Sequence, residues 1–242
     1  MTNELDDPRR EFLVKALSWG LFAGGTAAGL NQVASAMGDV PRELPDGRSI
    51  YQLQGTVFVD GKRADLMTPI GPNSRVKTGP NSRVIFVVQN DAFLLRSNSE
   101  LEMGSSGGLI IEGMRIVSGA LLSVFGKREK PHSITTSTAT IGIRGTGVYI
   151  ESDPEQSYIC TCYGYTRITA DADKDVYEDI VSEHHDKPVY VLPSNAGNKL
   201  IVPAPFINHT DAELSLIEEL VGRTTPFAYS GAGYEVPRKR TY

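Results

Sequence analysis

The chain has 242 residues, of which 40% are hydrophobic and 22% charged, and a formal net charge of −5. This mild acidity argues against binding to a phosphate backbone, which needs a concentrated basic surface. Two cysteines are too few to staple a domain of this size, so burial of apolar side chains must supply the core.

The first 36 residues have the features of an export signal. They resemble a twin-arginine signal peptide at Arg9, Arg10, Phe12, Leu13 and, at the cleavage site, Ala34 and Ala36. The apolar run between these positions is shorter than the ~20 residues that span a bilayer, and an ordinary amphipathic helix or an uncleaved anchor is the alternative. We therefore predict cleavage after Ala36, export by the twin-arginine machinery to the periplasm, and no stable membrane span.

Short runs of β-branched and aromatic residues follow from residue 50 to about 192, separated by turn residues. Asp60-Gly61 lies between apolar flanks and predicts a hairpin turn. The tandem copies of GPNSRV, at residues 71–76 and 79–84, predict two successive turns that each lead into a strand. This spacing predicts an all-β fold.

The stretches GMRIVSGALLSVF and TSTATIGIRGTGVYI resemble the FecR domain, an all-β module found outside the bacterial inner membrane. The resemblance covers residues 50–170, and its signature is Arg144-Gly145-Thr146. We predict that these residues hold a corner of the sheet. The guanidinium of Arg144, which lies among apolar residues, is expected to bond to backbone carbonyls or a carboxylate inside the turn.

The resemblance implies a non-enzymatic binding or signalling module whose partner is a periplasmic or outer-membrane protein or a sugar polymer. Founding family members also carry a cytoplasmic segment that controls a sigma factor. Only eight residues precede Arg9 here, so we do not expect sigma-factor control from this chain alone. The chain also lacks the sequence motifs of common hydrolases, metalloproteases and phosphate-binding loops.

Residues 171–242 form a carboxyl-terminal extension beyond the resemblance. Within it, Thr210 and Glu213 form a capping box that starts a helix predicted near residues 211–221. Apolar residues recur at helical spacing, and Gly222 follows where a C-terminal cap belongs. We expect the helix to pack on one face of the sheet, with docking to a partner helix as the alternative.

The cysteines and histidines suggest a second hypothesis, a periplasmic metalloprotein. Its candidate ligands for zinc, iron, copper or haem are Cys160, Cys162, His184, His185 and His209. On a strand the two cysteines point to the same side, about 6.5 Å apart, whereas adjacent histidines on an extended chain point to opposite sides. At most one of the paired histidines can therefore face the cysteines. Buried thiols and a strained disulfide are the alternatives.

Overall fold

The computed structural model describes residues 44, 47–104, 113–127, 132–194 and 199–227. This part of the chain contains fourteen strands and a short helix near its carboxyl end, which confirms the all-β prediction. None of the helical structure in these ranges is long and apolar enough to cross a membrane. The predicted export signal lies outside the described residues and stays a prediction.

The strands are β1 (Ile50–Gln54), β2 (Val57–Val59), β3 (Lys62–Arg63), β4 (Arg75–Thr78), β5 (Arg83–Val88), β6 (Asp91–Leu95), β7 (Glu100–Gly104), β8 (Gly113–Val124), β9 (His132–Thr135), β10 (Ala139–Ser152), β11 (Ser157–Ala170), β12 (Tyr177–Ser182), β13 (Val189–Val191) and β14 (Ile201–Pro203). They form one sheet in the order β14-β13-β11-β10-β9-β8-β7-β4-β2-β3. In addition, β12 pairs with β11, and a branch in the order β1-β5-β6 joins the sheet where β6 pairs with β8. Of the pairings among described residues, β8 with β9 is parallel and the others are antiparallel.

Local turn chemistry sets the register at the amino-terminal end of the sheet. Asp60 and Gly61 both have positive φ angles, of 51° and 78°, and they join β2 to β3 as the sequence predicts. The two copies of the tandem repeat lead into β4 and β5. These two strands then pair with different neighbours, so the repeat divides the chain between two parts of the sheet.

Both faces of the central strands are covered. Side chains on one face form the main core, which includes Val76, Val84, Phe86, Phe93, Leu95, Leu101, Ile116, Leu121, Ile141, Ile150 and Ile159. Alternate side chains on the other face form the second core, which includes Ile85, Leu94, Leu122, Tyr149, Tyr158, Cys160, Cys162, Ile207, Leu214, Ile217 and Leu220. Burial on both faces explains why all five residues of β6 are buried.

The carboxyl-terminal extension covers the second face. Its helix, α1 (Asp211–Glu219), ends two residues before the predicted boundary, with Leu220 as its C-cap. The capping box of Thr210 and Glu213 is present as predicted. Leu214 and Ile217 are completely buried against the sheet, and each contributes about 1.5–3 kcal/mol by leaving water. The prediction that the helix packs on the sheet is confirmed.

Charged side chains fix α1 in position at both ends. Near its start, Arg96 bonds to Glu213 at 3.0 Å and also lies over the ring of Tyr149. Near its end, Glu218 bonds to Arg223 at 2.6 Å and accepts a hydrogen bond from the hydroxyl of Tyr163. Burial raises the pKa of Glu218 and the Arg223 guanidinium opposes that shift. These contacts hold both ends of α1 in place on the sheet.

Candidate metal centre

The two cysteines lie next to each other in the second core. Cys160 and Cys162 are both on β11, and both side chains are 0% exposed. Their membership of one core confirms the prediction that they point to the same side of the strand. Both thiols are free, so the strained bridge is not formed in this structure.

His185 approaches the cysteines from the loop after β12. Its backbone N–H donates to the carbonyl of Cys162 at 2.9 Å, and its Nδ1 lies 3.4 Å from Sγ of Cys160. The carboxylate of Asp186 holds this loop by accepting hydrogen bonds from two backbone N–H groups, one of them that of His184. The atoms facing the cysteines belong to His185, so one member of the histidine pair takes this place, as predicted.

His209 approaches from the segment that precedes α1. Its Nε2 lies 3.4 Å from Sγ of Cys162 and 3.2 Å from Nδ1 of His185. Its ring is 1% exposed and stacks on Tyr149 with 4.4 Å between centroids. Three separate segments of the chain therefore bring two sulfur atoms and two nitrogen atoms together.

Hydrogen bonds on the far side of each imidazole determine which nitrogen faces the cluster. Nδ1 of His209 lies 2.7 Å from the carbonyl oxygen of Ile207, which can only accept. Nε2 of His185 lies 3.0 Å from a carboxylate oxygen of Asp211. Each far nitrogen therefore carries a proton, and in the neutral rings the two remaining lone pairs point at the cluster. A proton or a metal ion between these lone pairs makes their close approach favourable.

The separations match one tetrahedral ion. Zinc bond lengths of about 2.3 Å to sulfur and 2.0–2.1 Å to nitrogen place tetrahedral ligands about 3.6 Å apart for S···N and about 3.3 Å for N···N. The observed separations are 3.4 Å for two of the four S···N pairs, Cys160 with His185 and Cys162 with His209, and 3.2 Å for the N···N pair. All four ligand atoms, of Cys160, Cys162, His185 and His209, lie within 4.8 Å of one another.

Asp211 connects this cluster to the surface. One of its oxygens lies 3.0 Å from Nε2 of His185, and both oxygens lie 3.0 Å from Nε2 of His184. A carboxylate behind a ligating imidazole is the usual partner that orients the ring and raises its basicity. His184, predicted as a ligand of the same site, is therefore outside the four-atom cluster and one hydrogen bond further out.

Aromatic rings surround the remaining sides of the cluster. Phe206 packs against both imidazoles, with its ring centroid 4.3 Å from that of His185 and 4.6 Å from that of His209. Tyr149 stacks on the ring of His209, and Tyr158 packs edge-on against Tyr149. This shell excludes water, which strengthens any charge interaction inside it.

The two thiols have opposite electrostatic environments. Burial by itself raises the pKa of Cys160, but hydrogen bonds from Cys162, His185 and His209 reverse the shift and hold it well below the ordinary value. Burial and the adjacent Cys160 hold the pKa of Cys162 well above its ordinary value. Burial lowers the pKa of His185, but its bonds to Asp211 and Cys160 prevail and raise it to about 9. Without metal, the cluster thus favours one thiolate paired with one imidazolium.

The FecR-like signature lies elsewhere, at a bulge in β10. The register of β10 with β11 shifts between Arg144 and Gly147, and Gly145 has a φ of 62°, which glycine adopts without strain. Thr146 is completely buried and donates to the carbonyl of Tyr165 at 2.8 Å. The side chain of Arg144 is exposed rather than enclosed among apolar residues, and the expectation that its guanidinium bonds inside the turn stays a prediction.

Two contributors to the site were missed by sequence reasoning. Asp211 follows the capping threonine, where an acidic residue is ordinary and gives no sign of a histidine partner. Tyr149, the cross-strand neighbour of Cys160, carries no metal-ligand signal and is found only from the pairing of β10 with β11. The position of Asp211 two residues after His209 was the available hint.

Comparisons with known proteins give little guidance. No family model and no curated protein matches the chain, so the FecR assignment stays a prediction. Two crystal structures of a candidate anti-sigma factor from Parabacteroides distasonis ATCC 8503, at 2.50 and 1.65 Å resolution, align with TM-scores of 0.44 and 0.42 and 11% identity. Each alignment covers 54% of this chain and 58% of the other, and similarity this low carries no functional argument.

Proposed function

We propose that this protein binds one divalent transition-metal ion through Cys160, Cys162, His185 and His209. The observation that carries the proposal is the convergence of four ligand atoms within 4.8 Å of one another, three of whose separations match those around a tetrahedral ion. The fold, rather than proximity along the chain, brings these atoms together, since His209 lies 47 residues from Cys162. Thiolate and imidazole ligands in this geometry suit zinc or another soft first-row ion.

Charge and space narrow the kind of cofactor. Two thiolates neutralise a divalent ion, so the buried centre carries no net charge and avoids the cost of an unpaired ion. A haem would need a porphyrin plane between its axial ligands, whereas here four protein atoms surround one point. The set also leaves no ligand position open, which is the arrangement of structural or electron-transfer centres rather than of catalytic zinc.

A nucleophilic thiol is the competing function, and one observation favours it. Cys160, His185 and Asp211 are arranged in the order of a cysteine–histidine–carboxylate triad, and the pKa of Cys160 is lowered. However, the sulfur is completely buried and a second cysteine and histidine lie against it. A substrate carbonyl could not reach this thiol, so we favour the metal centre and a non-enzymatic role.

The predicted export signal fits a metal centre. Twin-arginine substrates cross the membrane already folded, so an ion inserted in the cytoplasm can travel with the protein. Outside the inner membrane the domain would act as the binding or signalling module that the FecR resemblance implies. A periplasmic or outer-membrane protein or a sugar polymer is the partner we propose for it.

Metal analysis of the full chain purified from the periplasm tests this function. We expect one transition-metal ion per chain, and cobalt reconstitution should give the intense visible spectrum of a tetrahedral thiolate site. The double variant Cys160→Ser, Cys162→Ser should lose both signals. Metal-free wild-type protein that folds normally and takes up no cobalt would falsify the proposal.

A matched variant separates metal ligation from nonspecific binding by acidic groups. Glu183 is exposed on the same loop as His185 but contributes no atom to the four-ligand cluster. Glu183→Gln should therefore retain the full metal content and the cobalt spectrum. Equal losses in this variant and in the cysteine double variant would point to adventitious surface metal.

A further inference from the structure

The metal centre lies inside the protein, so an ion needs a route to it. Both cysteines are 0% exposed and His209 is 1% exposed. The rings of Tyr149 and Phe206 pack against the imidazole of His209 and cover the cluster there. Among the described residues, the polar side chains that continue from the cluster toward solvent are those behind His185.

Exposure rises stepwise along this polar side. The side chain of His185 is 6% exposed, that of Asp211 is 10% exposed, and that of His184 is 39% exposed. The outer two are in direct contact, with Nε2 of His184 lying 3.0 Å from both carboxylate oxygens. The three side chains bring their ligand atoms within 4.8 Å of one another.

The ring of His185 is shared by two groups of ligands. Its Nδ1 belongs to the buried cluster, and its Nε2 faces the carboxylate of Asp211. The exposed imidazole of His184 lies on the far side of that carboxylate, with the ring centroids of the two histidines 4.8 Å apart. An ion held by the outer pair would therefore be one imidazole ring away from the buried position.

We propose that His184 and Asp211 form a loading site that captures a transition-metal ion from solution and passes it to the buried centre. This inference rests on the proposed function. The chemistry suits the task, because one imidazole and one carboxylate hold such an ion while water fills its other positions. With two protein ligands against four, the loading site is the weaker of the two.

The transfer exchanges ligands and releases protons in a balanced way. A hydrated divalent ion enters and binds two thiolates and two neutral imidazoles. Each proton that a ligand atom carries beforehand is displaced to solvent as the ion takes its place. No electron is transferred. Water leaves the ion stepwise as protein ligands replace it, so a bare ion never crosses the aromatic shell.

Metal-uptake kinetics on the metal-free full chain test the loading site. His184→Gln keeps a side chain that can donate to Asp211 but removes the imidazole ligand. We expect its uptake and release rates for zinc to fall together by about tenfold, the low end of what local ion concentration contributes to association. Its equilibrium affinity for zinc should remain that of the wild type.

The control and the alternatives give different results. Glu183→Gln removes a neighbouring charge without removing a ligand and should leave both rates unchanged. Wild-type uptake rates in His184→Gln overturn the loading site, and so does normal uptake with faster release, which would make His184 only a positioning residue. Wild-type protein that binds no zinc fails the proposed function itself, a result separate from either of these.

Discussion

The two faces of the central sheet carry different kinds of side chain. The main core is filled by aliphatic and phenylalanine side chains, and the described residues bring no cluster of metal ligands to it. The second core contains two cysteines, and histidines from two other segments reach it under the cover of the extension. The proposed metal centre therefore lies on the face closed by the carboxyl-terminal extension rather than at the FecR-like signature.

A matched pair of core substitutions should separate the two faces most strongly. Ile116 and Ile217 are both completely buried, in the main and second core respectively. Each isoleucine-to-alanine change should lower the free energy of unfolding by about 2–5 kcal/mol, measured by urea titration of the metal-free protein. Ile217→Ala should also weaken zinc binding, because α1 follows directly from the ligand His209.

If the metal centre lies in the second core, the two variants must differ in zinc affinity. Equal zinc affinities for Ile116→Ala and Ile217→Ala, measured by competition with a chelator, would show that the second core does not hold the centre. A loss of affinity confined to Ile116→Ala would place the metal elsewhere.

Removing a carboxylate should have a smaller effect that is again restricted to one face. Asp211→Asn keeps the size of the side chain but weakens its bond to the proton of His185, so zinc affinity should fall about 10–100-fold. The control is Glu100 on β7, whose carboxylate pairs with Arg75 and Lys77 on β4. Glu100→Gln should leave zinc affinity unchanged, and a drop of similar size there would contradict the outer role of Asp211.

The smallest expected effect concerns the pH dependence of the metal-free protein. The pKa of His185 is raised to about 9 and that of Cys160 is lowered, so the folded pair keeps a single proton. In the unfolded chain histidine titrates near 6.5 and cysteine near 8.5. Below about pH 6.5 the unfolded chain carries a proton on both groups, whereas the folded pair carries one. The free energy of unfolding should therefore fall as pH is lowered, by up to about 1.4 kcal/mol per pH unit.

On the alkaline side the slope of stability with pH has the opposite sign. Between about pH 8.5 and 9 the unfolded thiol loses its proton while the folded pair retains one, so stability should decline slightly as pH rises. Ultraviolet absorbance should detect a thiolate near neutral pH in the wild type. If His185→Gln shows the same thiolate signal and pH profile, the ion pair does not exist.

Local patterns in the sequence predicted the fold class and the shared direction of the two cysteines. The Asp60-Gly61 turn, the capping box at Thr210 and the shared direction of Cys160 and Cys162 follow from neighbours a few residues apart, and all are confirmed. Of the five candidate ligands predicted, four meet in one cluster, whereas His184 bonds to Asp211 instead.

The rest of the site depends on contacts between distant segments. His209 meets Cys162 across 47 residues because α1 covers the second face, and no periodicity in the sequence specifies that docking. Arg144 was expected among apolar residues inside a turn, but its side chain is exposed beside a bulge in β10. Backbone pairing over long distances decided both outcomes.

X-ray absorption at the metal edge of the purified full chain tests the central claim most directly. The proposed centre predicts one ion per chain with two sulfur ligands at about 2.3 Å and two nitrogen ligands at about 2.0–2.1 Å. Both sulfur ligands should disappear in the Cys160→Ser, Cys162→Ser variant. A coordination shell of nitrogen and oxygen alone in the wild-type protein would contradict the account.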